Sequence, residues 1–177
     1  PRRAKTDGIR SKHADGASLD RMDRKILGAL VVDATRGYAD LGREVGLSAP
    51  AVHERVKKLK AAGVIRRISA AIEGAAVGRP LLVFIHVATK NWGHSEAIDR
   101  LSELPELEEM HSVTGDTSMI LKVRLANTDA LEALLRRINA FEGVVATHTF
   151  VTLSTYLERP VQAEVTADWP APPLPRE

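Results

Sequence analysis

The amino-acid sequence predicts an α+β protein in which an amino-terminal winged helix-turn-helix is followed by a ferredoxin-like βαββαβ domain. The first observation is helical periodicity, interrupted by a glycine turn, in residues 19–72. The second is an alternation of strand-like and helical segments in residues 81–158. The third is charge: residues 1–79 hold 17 Lys and Arg against 9 Asp and Glu, and the remainder holds 8 against 14. The two parts therefore differ in pattern and in charge, as two domains would.

The amino terminus combines a basic arm with the first helix. Residues 1–18 are basic, rich in small polar side chains and nearly without apolar anchors, so we expect a disordered arm. Asp20 is the expected N-cap of the helix, and Asp23 follows at the position from which a side chain reaches back to the cap. An apolar stripe then predicts the buried face of this helix: Ile26, Leu27, Leu30 and Val31.

A tight turn joins the next two helices. Leu41 and Val45 lie four residues apart on one helical face, and Gly46 suits the left-handed residue that ends a helix. We expect Leu47 to fill the space between the helices and Ser48 to cap the second one by accepting from free amides of its first turn. This pattern is typical of a helix-turn-helix.

The second helix of the pair, residues 48–62, has two different faces. Val52, Val56 and Leu59 fall on one apolar stripe at spacings of four and three. The opposite side is polar and basic. Arg55 lies near the edge of the apolar stripe, so we expect it to pair with an acidic residue of the preceding helices.

A wing is predicted after Gly63, which ends the second helix. Residues 64–70 alternate and carry β-branched side chains, as a strand does. Arg66 and Arg67 on this strand would contact phosphates that flank the groove.

These features together predict binding to double-stranded DNA. A basic amphipathic helix alone is most often a solvated face, but the turn, the wing and the excess of cations in the first part of the chain favour a polyanionic partner. Small residues at the start of the helix allow a close approach to the groove floor. The residues expected to contact DNA are Ser48, Pro50, Ala51, His53, Glu54, Lys57, Lys58, Arg66 and Arg67.

The second part of the chain predicts one sheet with two helices on one face. Residues 73–80 hold two glycines and a proline and are the expected linker. Strands are predicted at 81–88, 108–114, 119–125 and 144–156, and helices at 95–104 and 128–141. Because the other face of such a sheet is bare, we expect a second copy to cover it in a homodimer. Residues 159–177, rich in proline, are the expected extended tail.

Composition narrows the class of protein. The chain contains no cysteine, which excludes a disulfide framework and a thiolate metal site. No apolar run approaches the length of a membrane span, and the amino terminus lacks the apolar core of a signal peptide. We therefore expect a soluble cytoplasmic protein, associated with the nucleoid, that has neither a membrane partner nor a cofactor.

Residues 19–157 resemble the Lrp/AsnC (feast/famine) family of transcription regulators. The resemblance is carried by LDRMDRKIL, by GLSAPAVHERVKKLKAAGVI, by the glycine linker before the first long strand, and by VTGDTSMILKV in the predicted hairpin. It implies a winged helix-turn-helix, a RAM or ACT-like domain for effector binding and oligomerisation, and homodimers that assemble into a higher oligomer such as an octamer. It also implies that a small molecule, usually an amino acid, alters DNA affinity or assembly.

The resemblance places the effector near the Gly-Asp turn of the hairpin. Exposed turn amides there can hold a carboxylate, and the Asp116 carboxylate can hold an ammonium group. Many family members carry a second acid followed by an aromatic residue after this turn, whereas this chain has Ser118 and Met119. A Gly-Asp pair is also an ordinary hairpin turn. The effector candidates are Gly115, Asp116, Thr117, Ser118, Thr147 and Thr149.

Three alternatives to an effector-responsive regulator stay open at this point. An architectural protein that wraps DNA without an effector is compatible with Ser118 and Met119. An enzyme resembling siroheme decarboxylases, or a metal sensor, would draw on His86, His111 and His148, which lie on three predicted strands. No acid pair or nucleophile with a base accompanies these histidines, and their spacing does not impose a shared metal site.

Overall fold

A computed structural model describes residues 18–90 and 96–163. The described residues form two compact units: residues 18–69 together with 159–163, and residues 70–90 together with 96–158. The basic arm before residue 18 and most of the proline-rich tail lie outside the described residues. Among the described helices, none is long and apolar enough to cross a membrane.

Three helices build the first unit: α1 (Arg21–Val32), α2 (Tyr38–Val45) and α3 (Ala49–Ala61). The predicted capping box at the start of α1 is confirmed, with the Asp23 amide donating to Asp20 Oδ1 at 2.8 Å and the Asp20 amide donating to Asp23 Oδ2 at 3.2 Å. The predicted helix-turn-helix is also confirmed. Gly46 ends α2 in the left-handed region at φ 75°, and Ser48 caps α3.

The core of this unit comes from the predicted apolar stripes. Leu47 and Tyr38 are partly buried and pack against its edge. Gly42 is buried where α2 meets the turn, and a Cβ at this position would collide with the backbone carbonyl of Leu47. The helices therefore approach each other closely at a position where only glycine fits. The buried apolar side chains are Ile26, Ala29, Leu41, Val45, Val52 and Val56.

The strand predicted for residues 64–70 is not formed. The chain leaves α3 through Gly63 at φ 72°, and residues 66–73 have no regular secondary structure. A strand requires a neighbouring strand with which to form hydrogen bonds. The described part of this unit has helices as its only regular elements. Residues 64–70 alternate in the manner of a strand but have no strand beside them with which to pair. The wing is thus absent as a strand, although Ile65 packs against the helical core.

The second unit is a four-stranded antiparallel sheet with two helices. Its strands are β1 (Leu81–Thr89), β2 (Leu107–Ser112), β3 (Met119–Leu125) and β4 (Val144–Val151), in the spatial order β2-β3-β1-β4. Helices α4 (Glu96–Ser102) and α5 (Thr128–Asn139) complete the order βαββαβ. The predicted ferredoxin-like fold is confirmed.

The last strand is shorter than predicted. It ends at Val151, and Thr152 donates one further hydrogen bond, of 3.0 Å, to the carbonyl of Leu82. Beyond this point only Leu81, the first residue of β1, remains opposite Leu153, and Pro80 before it has no amide hydrogen with which to extend the pairing. Leu153, predicted to continue the strand, is 96% exposed.

The sheet presents one covered face and one open face. Odd-numbered residues of β1 face the helices, and the buried residues of β3 lie directly opposite them. The open face carries the even-numbered residues of these strands. Its central side chains are Phe84, His86, Ile120, Lys122, His148 and Phe150.

The segment predicted as a linker packs against the second unit. It contains one short 3-10 helix (Ala75–Val77). Gly74 is buried, and a Cβ at this position would meet the Arg124 side chain and the Arg79 carbonyl. This contact fixes where the chain enters the sheet.

Candidate DNA-binding surface and effector region

The face of α3 opposite its buried stripe is open to solvent. Pro50, His53, Glu54 and Lys57 are exposed on it, and so is Lys58. No hydrogen bond or ion pair holds Lys57 or Lys58 within residues 18–90 and 96–163. Both ammonium groups are therefore available to an external anion.

The start of α3 is small and already hydrogen-bonded. Ser48 Oγ accepts from the Ala51 amide at 3.4 Å, as the cap prediction required. Ala51 is half-buried and Pro50 occupies the first turn. The Ser48 hydroxyl can still donate its hydrogen to a phosphate oxygen while it caps the helix.

Arg55 anchors α3 to the start of α1. Its Nη1 lies 2.6 Å from Asp20 Oδ2 and 2.7 Å from Asp23 Oδ1. The prediction that Arg55 pairs with an acid of the preceding helices is thereby confirmed. The pKa of Asp20 is lowered by the hydrogen bond from the Asp23 amide and by Arg55, and the pKa of Arg55 is raised by Asp20 and Asp23. The helix that carries the DNA-contact candidates is thus tied to the capping box of α1.

His53 has an aromatic neighbour that the sequence did not identify. The Tyr38 ring at the start of α2 lies 5.3 Å from the His53 ring between centroids, with a 39° angle between planes. His53 Nδ1 is 3.8 Å from Glu54 Oε1. Because Tyr38 and His53 are 15 positions apart on different helices, only the tertiary fold reveals the contact.

Arg66 and Arg67 lie after α3 in the irregular segment. Both are exposed, and neither has a partner in the part of the chain that the structure describes. They follow the exit of α3 but are not held on a strand, so their positions are less constrained than predicted.

The Gly-Asp turn joins β2 to β3 and is held against β1. Gly115 has φ 118°, a conformation that favours glycine. Thr117 Oγ donates to the Val87 carbonyl at 2.9 Å, and Ser118 Oγ accepts from the Thr89 amide at 3.1 Å. These two hydroxyls stabilise the turn, while Gly115 and Asp116 remain exposed.

The candidates on β4 lie on the helix-covered face. Thr147 is directly opposite Val87, whose carbonyl accepts from Thr117, so the structure brings Thr147 close to the turn. Thr147 Oγ is 3.4 Å from Asn139 Oδ1 on α5. Thr149 is opposite Ile85, two pairs farther from the turn.

Three described histidines of the second unit, His86, His111 and His148, share the open face. His86 and His148 are directly opposite each other on β1 and β4. His111 lies on β2, where its Nε2 is 3.0 Å from Glu109 Oε2, and this contact together with Lys122 lowers the pKa of Glu109. Within residues 18–90 and 96–163, no three His, Asp or Glu side chains converge as a metal site.

A helix-turn-helix unit with an exposed basic helix, joined to a ferredoxin-like unit, defines a two-domain transcription regulator. Residues 19–60 match the AsnC-type helix-turn-helix domain, and residues 82–162 match the Lrp/AsnC ligand binding domain. The chain belongs to the Lrp/AsnC family of transcription regulators.

Individual relatives agree with this assignment. The chain is 36% identical over 140 residues to the HTH-type transcriptional regulator FL11 of Pyrococcus horikoshii, covering 79% of this chain and 93% of the relative. It is 30% identical over 146 residues to the regulatory protein AsnC of Escherichia coli, covering 81% and 96%. The structure of the feast or famine regulatory protein of Mycobacterium tuberculosis complexed with L-methionine superposes with a TM-score of 0.75 at 34% identity, covering 80% of this chain and 96% of that one.

Proposed function

We propose that this regulator binds double-stranded DNA in a sequence-specific manner through α3 and responds to an amino acid bound near the Gly-Asp turn of its second domain. The observation that carries the proposal is the division of α3 into a buried face and a face on which Lys57 and Lys58 have no partner among the described residues. We take residues 19–72 as the DNA-binding domain and residues 81–158 as the effector domain, with 73–80 between them. Since the ligand is chromosomal DNA, the proposed place of action is the nucleoid in the cytoplasm.

The proposed roles on α3 follow from position and chemistry. Pro50 and Ala51 allow the helix start to approach the groove floor, and His53 and Glu54 are the candidates for contacts with base edges. Lys57 and Lys58 are assigned to phosphates. Arg66 and Arg67 are assigned to flanking phosphates, where a segment without regular secondary structure suffices because such contacts need charge more than fixed geometry.

The open face of the sheet is the proposed homodimer interface. Phe84 and Phe150 lie side by side on it and are 36% and 53% exposed. Large exposed apolar side chains in one patch mark an interface more often than a solvated surface. Members of the family are typically oligomeric, and we propose that such dimers assemble further, into an octamer.

The effector site is proposed at the exposed part of the hairpin turn. An amino acid presents a carboxylate to the amides around Gly115 and an ammonium group to Asp116. L-methionine on the M. tuberculosis relative supports an effector of this class. Thr117 and Ser118 then act mainly by holding the turn against β1. Thr147 contacts Asn139 on α5, and Thr149 is farther from the turn.

The test is fluorescence anisotropy of the purified chain on DNA from upstream of its own gene, against unrelated DNA of equal length. The salt concentration is about 0.15 M, where specific and non-specific binding separate. The expected result is tighter binding to the upstream fragment, altered by a mixed amino-acid pool. Equal, pool-insensitive binding to both would contradict the proposal.

That contrary result would favour an architectural DNA-wrapping protein. One observation favours this second candidate: the Ser118 hydroxyl accepts from the Thr89 amide, so it does not replace the second acid found in many relatives. An effector must bind one assembly state more tightly than another to regulate, because equal binding shifts no equilibrium. Sedimentation with and without the pool therefore accompanies the DNA measurement.

A further inference from the structure

One pair of side chains on the open face has no role in DNA or effector binding. His86 and His148 are directly opposite each other in the antiparallel register of β1 and β4. No hydrogen bond or ion pair engages either imidazole within the described ranges. The His86 ring lies 4.8 Å from the Phe150 ring between centroids. The two imidazoles are therefore neighbours on one face, and their nitrogens have no hydrogen-bonding partner among the described residues.

The spacing of this pair matches the needs of a metal chelate. Directly opposite residues on one face of an antiparallel pair have Cβ atoms about 4.5–5.5 Å apart. Tetrahedral Zn²⁺ at about 2.0–2.1 Å from each nitrogen places two such nitrogens roughly 3.3 Å apart. Rotation of His86 and His148 about their side-chain bonds spans this difference without movement of the backbone.

We propose that His86 and His148 form half of a transition-metal site, which the same two histidines of a second copy complete. The inference rests on the proposed dimer through the open face. Two sheets that pack face to face are about 10 Å apart, so the midplane lies about 5 Å from each. An imidazole ring and a metal-nitrogen bond of about 2 Å together reach that plane. A twofold axis beside the pair then brings four imidazoles to one ion.

The surroundings indicate which ions fit. Imidazole suits zinc, copper and nickel, and a closed tetrahedral site with four ligands is typical of structural zinc. Phe84 and Phe150 lie next to the pair on the same face, and the neighbour of His86 on β3 is Ile120. An apolar shell of this kind excludes water from the ion once the second copy covers it. The ion would stabilise the dimer.

The experiment uses the full chain, stripped with a chelator and titrated with Co²⁺ and then Zn²⁺. Visible absorption reports tetrahedral Co²⁺, and sedimentation velocity reports the dimer. We expect one ion per two chains and displacement of Co²⁺ by Zn²⁺. We also expect the dimer to be more stable with the ion bound, so that it persists on dilution to protein concentrations at which the metal-free dimer dissociates. His86→Gln and His148→Gln should each weaken metal affinity by at least about tenfold.

His111→Gln is the matched control. His111 lies on the same face but two strands from His86, and Glu109 already engages it at 3.0 Å. Its replacement should leave metal affinity unchanged, and an equal loss in this variant would overturn the assignment. Far-ultraviolet circular dichroism and DNA binding confirm that each variant is folded.

The possible failures are distinguishable. A dimer that binds no Co²⁺ or Zn²⁺ would overturn the metal site and leave the dimer intact. One ion per single chain, lost in the His86 and His148 variants, would overturn the sharing between copies. A chain that stays monomeric at all concentrations would overturn the proposed dimer itself.

Discussion

Replacing Arg55 by methionine removes the guanidinium that ties α3 to the first turn of α1 and keeps a side chain of similar length. The contact with Asp23 involves a carboxylate that is 16% exposed, so this charge-assisted hydrogen bond contributes about 1–1.5 kcal/mol. The contact with Asp20, which is 52% exposed, adds only about 0.5 kcal/mol because solvent screens it. The expected loss is therefore about 1.5–2 kcal/mol.

Amide hydrogen exchange read by mass spectrometry measures this loss. Peptides from α1 and α3 should exchange roughly 10–30 times faster in the variant, since 1.4 kcal/mol is a factor of ten in an equilibrium constant. Peptides from β1 and β3 are the internal reference and should not change. Unchanged exchange in α1 and α3 would refute the reasoning.

Arg136→Met is the matched control for the Arg55 variant. Arg136 forms an exposed ion pair with Glu132 one helical turn away on α5, and such pairs contribute no more than about 0.5 kcal/mol. If this variant lost as much protection in its own helix as Arg55→Met does in α1 and α3, the anchoring role of Arg55 would be wrong.

The same cluster predicts a dependence on pH. The folded state lowers the pKa of Asp20 below its ordinary value of 3.8. Its contribution to stability is therefore present above that value and is lost as the pH falls through the lower pKa of the folded state. Exchange in α1 should accelerate in this acidic range, and less so in Arg55→Met, because Arg55 is one of the causes of the shift.

Three further predictions concern the DNA surface, the turn and the effector region. Lys57→Ala should lower the slope of log affinity against log salt by about one unit, and an unchanged slope would remove Lys57 from the phosphate contacts. Gly42→Ala should destabilise the first unit by about 1–3 kcal/mol in denaturation, because the added methyl group meets backbone. Gly37→Ala, whose nearest atom would be 3.9 Å away, is its control. Asp116→Ala should abolish the amino-acid response and retain basal DNA binding, while a variant that still responds would place the pocket elsewhere.

The helix-turn-helix was predictable because its signals are local. The capping box, the left-handed Gly46 and the stripe of Val52, Val56 and Leu59 each lie within a few residues of the feature they define. Arg55 was predictable for the same reason, since its place at the edge of the stripe directs it toward α1. Local chemistry and the tertiary fold agree over this whole segment.

The strand after α3 and the end of β4 could not be predicted in this way. Residues 64–70 have the side chains of a strand, but pairing depends on a partner that the described part of the first unit does not supply. The end of β4 at Val151 depends on where β1 begins, at Leu81, 70 positions earlier in the sequence. Contacts between distant segments, such as Tyr38 with His53 and His86 with His148, leave no periodic signal.

The capping box of α1 has a consequence for the polypeptide that precedes it. Ser18 and Leu19 line the same groove as Glu54 and Lys58 of α3. The polypeptide that precedes Ser18 is therefore attached to the fold beside Glu54 and Lys58, and such a tether raises effective concentration without requiring an ordered structure. An affinity tag or fluorophore attached at the amino terminus would share this tether, so its charge would enter any measurement of DNA affinity.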